Sequence, residues 1–235
     1  MIRNVDLERP KQKRLVPQWG LELVLSALKL PQFEPATEVD IKFVSYKCCF
    51  LLDLTSGGRR SEIHALSVSD SCLRFNRDQS AVILLTDPSF LGKNQIPSKD
   101  SKPTFLTALP SDSSSYLLCS IRILKIYLNK TRQRRSNSNS RLFLSLKTGI
   151  SDLSSKSIST WLCNTMLPAY HSSGEQTLPR HSVKAHEVRT MSSSWALFSS
   201  ASMAEVLSAG FWRCQNSVID HYLQSMTSYA DNCFP

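Results

Sequence analysis

A histidine and an arginine stand one helical turn apart in the segment SVKAHEVRTMSSSWALF, residues 182–198. At about 100° per residue, His186 and Arg189 fall within about 60° of each other on a helix. The apolar side chains lie on roughly the opposite side of that helix: Val188, Met191, Trp195 and Phe198. The pattern predicts a helix that buries its apolar side and presents His186 together with Arg189. An exposed polar face without a function has the same pattern, so the pair alone does not decide between the two.

A second polar group follows a glycine pair in LTSGGRRSEIHAL, residues 54–66. Gly57 and Gly58 allow a sharp turn because glycine tolerates positive φ. The helix predicted after them begins with Arg59 and carries Glu62 one turn later. A helix N-terminus has a partial positive charge, so an arginine there is unfavourable unless an anionic ligand lies nearby. An ordinary surface ion pair between Arg59 and Glu62 is the alternative.

The net charge of +9 favours a polyanionic partner, most simply nucleic acid. The charge is concentrated between residues 121 and 147, which contain eight basic residues and no acidic one. We predict that Arg132, Arg134 and Arg135 in this stretch contact a phosphate backbone. A solvated helix end with its loop is the alternative interpretation.

Cysteine spacing and hydropathy narrow the class of protein. The seven cysteines are odd in number and show no CxxC spacing, which argues against a disulfide framework or a zinc site and favours a reducing compartment. No apolar run approaches the ~18 residues of a membrane span. The N-terminal segment is charged where a signal peptide is apolar. We therefore expect an intracellular protein that is soluble and has no contact with a membrane.

The periodicity predicts an α+β fold that is mainly helical, with one small antiparallel sheet. The strands are predicted in SCLRF, AVILL and TFLTAL. A long helix opened by Thr37, with Asp40 three residues on, is expected to bury one stripe and to end at the glycine pair; the stripe consists of Val39, Phe43, Tyr46, Phe50 and Leu54. The other predicted helices cover residues 17–30, 113–129, 154–167, 185–199, 202–209 and 216–226.

Taken in their order along the chain, the polar motifs resemble those of the tyrosine recombinase (phage-integrase-like) family. The matching residues are Arg59 with Glu62, Lys93, His186 with Arg189, Trp212 and Tyr222. Arg59 is chosen over Arg60 because it keeps the three-residue spacing to Glu62, and Lys99 and Lys102 remain alternatives to Lys93. More narrowly, RRSEIHAL, DPSFLGKNQ, KAHEVRTMSSSWA and FWRCQN…HYL are similar to recombinases of DIRS-type retrotransposons. The resemblance covers roughly residues 37–226.

The resemblance implies a mainly helical recombinase catalytic domain over residues 37–235. Residues 1–36 are then an arm or linker with a short helix, and the family's N-terminal clamp domain is absent or reduced. It also implies DNA cleavage without a metal or other cofactor and without a nucleotide. Tyr222 would attack the phosphate to form a 3′-phosphotyrosyl link, and Arg59 and Arg189 would neutralise the phosphate charge.

The remaining residues of the motif have supporting roles by the same resemblance. Lys93 would be the general acid for the 5′-oxygen, and His186 would assist proton transfer or hold the phosphate. Trp212 would pack beside the phosphate, and Glu62 would orient Arg59 or a neighbouring side chain. The protein would integrate or recombine the DNA of a mobile element, self-associating on double-stranded DNA as a tetrameric synapse in the nucleus. Two alternatives remain: an inactive DNA-binding remnant, and relaxation of DNA like that of a type IB topoisomerase.

Overall fold

The computed structural model describes residues 19–92, 103–135, 140–147, 153–173, 184–199 and 201–209. Its helices are α1 (Leu21–Ala27), α2 (Ile41–Ser56), α3 (Arg60–Ala65), α4 (Ser120–Thr131), α5 (Ser155–Ser173), α6 (His186–Phe198) and α7 (Met203–Ala209). Short 3-10 turns cover Tyr116–Leu118 and Arg132–Arg134. The strands are β1 (Leu73–Phe75), β2 (Ala81–Leu84) and β3 (Thr104–Thr107). The predicted mainly helical α+β class is confirmed.

Helix α2 is the centre of the structure. The side chain of Asp40 accepts a hydrogen bond from the Lys42 backbone N–H at 2.7 Å and so caps the helix. The predicted start at Thr37 was therefore wrong, since the residues between Thr37 and Asp40 form turns. The one-sided stripe was too narrow as well, because residues 44–53 are all buried. Helices α4, α5 and α6 pack around α2 and leave it no exposed side over this length.

The three strands form the predicted small antiparallel sheet, and their order is β1-β2-β3. Leu73 pairs with Leu84, and Val82 pairs with Leu106. The sheet buries one face, because Val82, Leu84 and Leu106 belong to the same apolar core as α2 and α4. Alternation along a strand sends the intervening side chains outward. The sheet therefore packs on the helical core with one face. The polar groups of α3 and α6 belong to the helical part of the structure.

Most of the predicted helices are present with shifted ends. The helix predicted over 113–129 begins with a 3-10 turn and continues as α4, and that predicted over 154–167 continues to Ser173. Pro168 lies inside this helix and cannot donate the i→i−4 hydrogen bond. The helix continues because Ala169 and Tyr170 are buried in the core, and packing outweighs the lost bond. Residues 216–226 lie outside the described part of the chain.

The segment before α2 shares the main core. Trp19, Leu21, Val24 and Phe33 are all buried, and α1 packs against α5. Residues 19–36 therefore lie against the same body as the helices that follow. The division of the chain at residue 36 stays a prediction, because packing alone does not define a functional boundary. Within the described ranges, no helix combines the length and apolarity needed to cross a membrane.

A buried ionic cluster fixes this segment to the helices. Both carboxylate oxygens of Glu34 accept from the Arg122 guanidinium, at 2.7 and 2.8 Å, and Lys47 Nζ donates to the same carboxylate. Lys47 Nζ also donates to the Leu28 carbonyl at 2.6 Å. Burial raises the pKa of Glu34, but the hydrogen bonds from Arg122, Lys47 and the Ala36 N–H outweigh burial and lower it to about 2. The cluster thus joins the loop before α2 to both α2 and α4.

Replacing Glu34 should show how much this cluster contributes to the free energy of unfolding. We expect Glu34→Gln to lower the free energy of unfolding by about 3–5 kcal/mol, because it leaves the buried Lys47 charge without its carboxylate. In the wild type, the contribution of Glu34 is present above about pH 4.3 and is lost as the pH falls towards the folded pKa of about 2. Urea denaturation at several pH values measures both effects. The exposed Glu38→Gln is the control, and equal losses in the two variants would contradict the prediction.

Candidate active site

The turn between α2 and α3 sets the position of Arg59. Helix α2 ends at Gly57, which adopts the left-handed conformation with φ of 58°. A Cβ at Gly57 would lie 3.3 Å from the hydroxyl oxygen of Ser192 on α6. The positive φ therefore favours glycine at this position, and a larger residue would also need a small shift of Ser192. The turn brings Arg59 to the N-cap of α3.

The Glu62 carboxylate joins two segments that are distant in sequence. Its Oε2 accepts from the Arg59 backbone N–H at 2.6 Å, and its Oε1 accepts from Arg59 Nη1 at 2.8 Å. Arg189 Nη1 on α6 lies 3.9 Å from Glu62 Oε2. Glu62 is buried, so the alternative of an ordinary surface pair does not describe its contact with Arg59. One carboxylate thus hydrogen-bonds the guanidinium group from α3 and lies within ion-pair distance of the one from α6.

The two guanidinium groups differ in their access to solvent. The side chain of Arg59 is 37% exposed, whereas that of Arg189 is 9% exposed. Because arginine cannot lose its proton in a protein, both groups carry a permanent positive charge. Arg59 is therefore able to reach an anion from outside while it remains bound to Glu62. Arg189 is a buried charge, and the helices packed around it restrict the orientation of its guanidinium group.

The predicted faces of α6 were wrong in part. His186 is exposed as predicted, but Arg189 is buried, and Trp195 on the predicted apolar face is 50% exposed. Val188 is fully buried and Met191 is partly buried. The side chain of Phe198 lies outside the described part of the chain. Arg189 turns inward because the Glu62 carboxylate lies there, and buried charged groups are normally paired.

Small polar side chains complete the inward face of α6. Ser193 and Ser194 are both buried, and α6 packs directly on α2. Serine side chains are small and occupy little space between α6 and its neighbours. Arg189, on the same helix, lies 3.9 Å from Glu62 on α3. The interior of the site is therefore polar along the α6 side.

Asp53 is a buried carboxyl group of the site that our interpretation of the sequence missed. It lies near the end of α2, and its Oδ1 has no hydrogen-bond partner within the described residues. Burial raises the pKa of Asp53 well above its ordinary value; the Arg189 charge opposes this change and the Glu62 charge adds to it. The only sequence signal was an acid inside the apolar run CCFLLDL.

Charge counting gives the site a positive balance. The two guanidinium groups of Arg59 and Arg189 face one ionised carboxylate, that of Glu62, when Asp53 holds its proton. One positive charge therefore remains unbalanced within this group. In a partly buried site, that excess favours the binding of an anionic group.

Glu187 is a second buried acid that the analysis of the sequence missed. Its Oε2 accepts from Trp19 Nε1 at 3.1 Å and from the Lys184 backbone N–H at 3.2 Å. The acid stands between His186 and Val188 in the first turn of α6. A carboxylate is favourable there because of the helix dipole, which is the one signal that pointed to it. Its contact with Trp19 depends on tertiary packing.

Three predicted site residues lie outside the described ranges, namely Lys93, Trp212 and Tyr222. The alternative lysines Lys99 and Lys102 lie outside them as well. Their positions relative to Arg59 and Arg189 stay predictions. The described ranges contain no group of three or more His, Cys, Asp or Glu side chains placed to hold a metal ion.

The basic stretch makes extensive contacts within the protein. Arg134 Nη2 donates to the Ser145 carbonyl at 2.7 Å, and Arg135 donates to the carbonyls of Arg141 and Leu142 at 2.9 and 2.8 Å. These contacts hold the segment over residues 140–147 against the end of α4. Arg132 is exposed. Arg134 is exposed as well, and Arg135 is partly buried. Binding of a DNA backbone by Arg132, Arg134 and Arg135 stays a prediction.

Removing the carboxylate at residue 62 should destabilise the site more than removing its charge alone. We expect Glu62→Ala to lower the free energy of unfolding by about 1.5–3 kcal/mol, because hydrogen bonds to charged groups are lost from a buried position. Glu62→Gln should lose less, since its amide oxygen still accepts from the Arg59 N–H. Urea denaturation measures the difference. The exposed Glu38→Ala is the control, and a loss from Glu62→Ala no larger than from Glu38→Ala would refute this account.

Removing the carboxyl at residue 53 should change how stability depends on pH. The raised pKa of Asp53 means that the unfolded chain loses this proton first, so wild-type stability falls as the pH rises above about 4. Relative to Asp53→Asn, the fall is at most about 1.4 kcal/mol per pH unit. Denaturation curves between pH 4 and pH 8 measure it, with the exposed Asp70→Asn as control. Parallel curves for wild type and Asp53→Asn would show the assignment to be wrong.

Solved recombinase structures have a similar fold, although no family model and no curated protein matches the sequence. The XerH site-specific recombinase bound to palindromic difH substrate, a post-cleavage complex, gives a TM-score of 0.58 at 15% identity. That match covers 90% of this chain and 50% of the XerH chain. The pre-cleavage complex of XerH with difH gives 0.56 at 16% identity, over 88% of this chain and 50% of that one.

XerA recombinase gives a TM-score of 0.56 at 13% identity, over 91% of this chain and 61% of that one. The chain therefore spans about half the length of XerH and about three-fifths of XerA. Similarity at this level of identity concerns the fold. With its helices around α2 and its three-stranded antiparallel sheet, the chain has the fold of a tyrosine-recombinase catalytic domain.

Proposed function

We propose that this protein cleaves and rejoins DNA strands through a covalent link between Tyr222 and a 3′-phosphate. The observation that carries the proposal is the convergence of Arg59 and Arg189 on one buried carboxylate, that of Glu62. The two arginines come from motifs far apart in the chain, and the spacing within each motif resembles that of the family. The fold supports the proposal independently, since the similar XerH structures hold a recombinase on its DNA substrate.

The arginine pair is suited to the charge of a reacting phosphate. During attack, the nonbridging oxygens gain negative charge, and forked donors placed beforehand stabilise that charge at little cost in reorganisation. Arg189 is buried and Arg59 is partly exposed, so the scissile phosphate would approach from the Arg59 side. Glu62 keeps both guanidinium groups in place when DNA is absent.

The chemical step balances without an external cofactor. The Tyr222 phenol gives up its proton to His186 or to solvent as its oxygen attacks phosphorus. The bond from phosphorus to the 5′-oxygen breaks, and the leaving oxygen takes a proton from Lys93. His186 is exposed at the first turn of α6 and would assist proton transfer or hold the phosphate. Trp212 would pack beside the phosphate. The phosphotyrosyl link conserves the energy of the phosphodiester bond, so the 5′-hydroxyl of another strand can reverse the reaction.

The biological setting is part of the same proposal. The protein would recombine or integrate the DNA of a mobile element and would act in the nucleus as several protomers on paired duplexes. The motifs similar to DIRS-type recombinases support a retrotransposon origin. The net charge of +9 supports binding to DNA, with Arg132 and Arg134 as the exposed members of the proposed backbone-binding group.

Covalent trapping tests the reaction. We expect the wild type to form an SDS-resistant adduct on a pool of nicked duplexes of randomised sequence in the presence of EDTA, with the DNA attached to Tyr222. Tyr222→Phe should abolish the adduct, because the nucleophile is missing. Arg189→Ala should slow its formation by about 10²–10³-fold, the usual loss when one donor to developing charge is removed. Gel electrophoresis and mass spectrometry measure both.

Matched variants control for folding and for general charge. Tyr116→Phe removes a phenol elsewhere, and Arg77→Ala removes an exposed arginine outside the site; neither should slow the adduct. DNA binding without any adduct would contradict the proposal and would identify an inactive remnant. Relaxation of supercoiled plasmid without site preference would instead indicate topoisomerase activity.

A further inference from the structure

We propose that Trp19 and Glu187 are positioning residues, which orient the first turn of α6 so that His186 and Arg189 meet the same phosphate. The inference rests on the proposed function for its catalytic consequence. Its structural part, the control of α6 by the segment before α1, stands on contacts between described residues. Neither residue is among the predicted site residues, although Glu187 lies between His186 and Arg189 in the sequence.

The two side chains form a buried hydrogen bond between distant parts of the chain. Trp19 Nε1 donates to Glu187 Oε2 at 3.1 Å, and both residues are buried. The same oxygen accepts from the Lys184 backbone N–H at 3.2 Å, and the Glu187 N–H donates back to the Lys184 carbonyl at 3.0 Å. Glu187 therefore caps the start of α6 from within the helix. The indole N–H then fixes the direction in which this capping carboxylate points.

Trp19 itself is held by two other helices. Its ring meets Phe50 of α2 edge-on, with ring centroids 6.2 Å apart. The next residue, Gly20, donates its N–H to the Tyr170 hydroxyl on α5 at 2.6 Å. The indole thus has a fixed position relative to α2 and α5. A carboxylate hydrogen-bonded to this indole is therefore fixed relative to α2 and α5. The first turn of α6, which contains the carboxylate, is fixed in the same way.

The first turn of α6 consequently has two anchors on different sides. Glu187 connects it to Trp19, and Arg189 connects it to Glu62 on α3. Two anchors separated along a helix turn define its rotation about the axis, which one anchor does not. His186 precedes Glu187 directly and is exposed, so its direction follows from this rotation. Loss of the Trp19 contact should turn the imidazole relative to the Arg189 guanidinium.

The closing experiment compares Trp19→Phe, Glu187→Leu and Glu187→Gln in the full chain. Trp19→Phe keeps an aromatic ring against Phe50 and removes only the N–H donor. Glu187→Gln keeps an acceptor oxygen, whereas Glu187→Leu removes it. Trp161→Phe is the matched control, because Trp161 is a buried indole that packs on Tyr46 and Phe143, away from α6.

Two readouts that do not need DNA test the structural part. Amide hydrogen exchange should become about tenfold faster over residues 184–190 in Trp19→Phe and Glu187→Leu, as expected for a lost hydrogen bond to a charged group. Exchange over residues 120–131 should stay unchanged. The imidazole C–H resonances of His186, assigned with His186→Gln, should shift in the same two variants and remain near the wild-type position in Glu187→Gln and Trp161→Phe.

The third readout is the rate of covalent adduct formation at saturating DNA. We expect it to fall by about 10- to 100-fold in Trp19→Phe and Glu187→Leu, since a small misplacement of a catalytic group has an effect of that size. The DNA dissociation constant should change little. Combining Trp19→Phe with Glu187→Leu should add little to either loss, because both variants remove one interaction.

The outcomes separate this inference from the proposed function. Unchanged exchange and unchanged His186 resonances in Trp19→Phe would overturn the inference, as would equal changes in Trp161→Phe. An inactive wild type would overturn the proposed function, and exchange and resonances would still decide whether Trp19 controls α6. An active wild type whose adduct rate is insensitive to both variants would overturn the catalytic part of the inference alone.

Discussion

The Glu62 carboxylate, held between two arginines, is the contact on which the geometry of the candidate site depends. It accepts from the backbone and the side chain of Arg59 and attracts Arg189 from another helix. A buried carboxylate and a buried guanidinium are each costly alone, because both lose their hydration. Their mutual contact offsets that cost only when α3 and α6 are placed correctly. The arrangement of the site is therefore coupled to the packing of both helices on α2.

The ionic cluster around Glu34 differs from that around Glu62, because the Glu34 carboxylate is fully paired with two cations. Around Glu34, the Arg122 fork uses both carboxylate oxygens and Lys47 occupies the remaining side, so the acid is strongly stabilised in its charged form. The cluster near Glu62 is different. Arg59 keeps 37% of its side chain exposed, and burial favours the neutral form of Asp53. The first cluster stabilises the fold, whereas the second retains positive charge that can meet an anion.

The secondary structure was largely predictable because local signals specified it. Asp40 and Gly57 cap α2 through their own backbone chemistry, and the alternation in AVILL identified β2. Arg189 was predicted to be exposed, because an analysis of helical periodicity places charged residues on the solvent side. Its partner Glu62 belongs to another helix, and no local pattern contains that contact. The same limit applies to Trp19 and Glu187, whose hydrogen bond spans most of the chain.

The buried polar side chains of α6 give a physical reason for these limits. Glu187 and Ser194 are buried on one side of the helix and Arg189 and Ser193 on another, so apolar contacts such as that of Val188 supply only part of its burial. Its orientation therefore depends also on directional contacts, which are sensitive to distance and angle in a way that apolar packing is not. Directional contacts are also what a reacting phosphate requires of its surroundings. The features that made α6 difficult to interpret from its sequence are thus those that would allow it to orient His186 and Arg189 for catalysis.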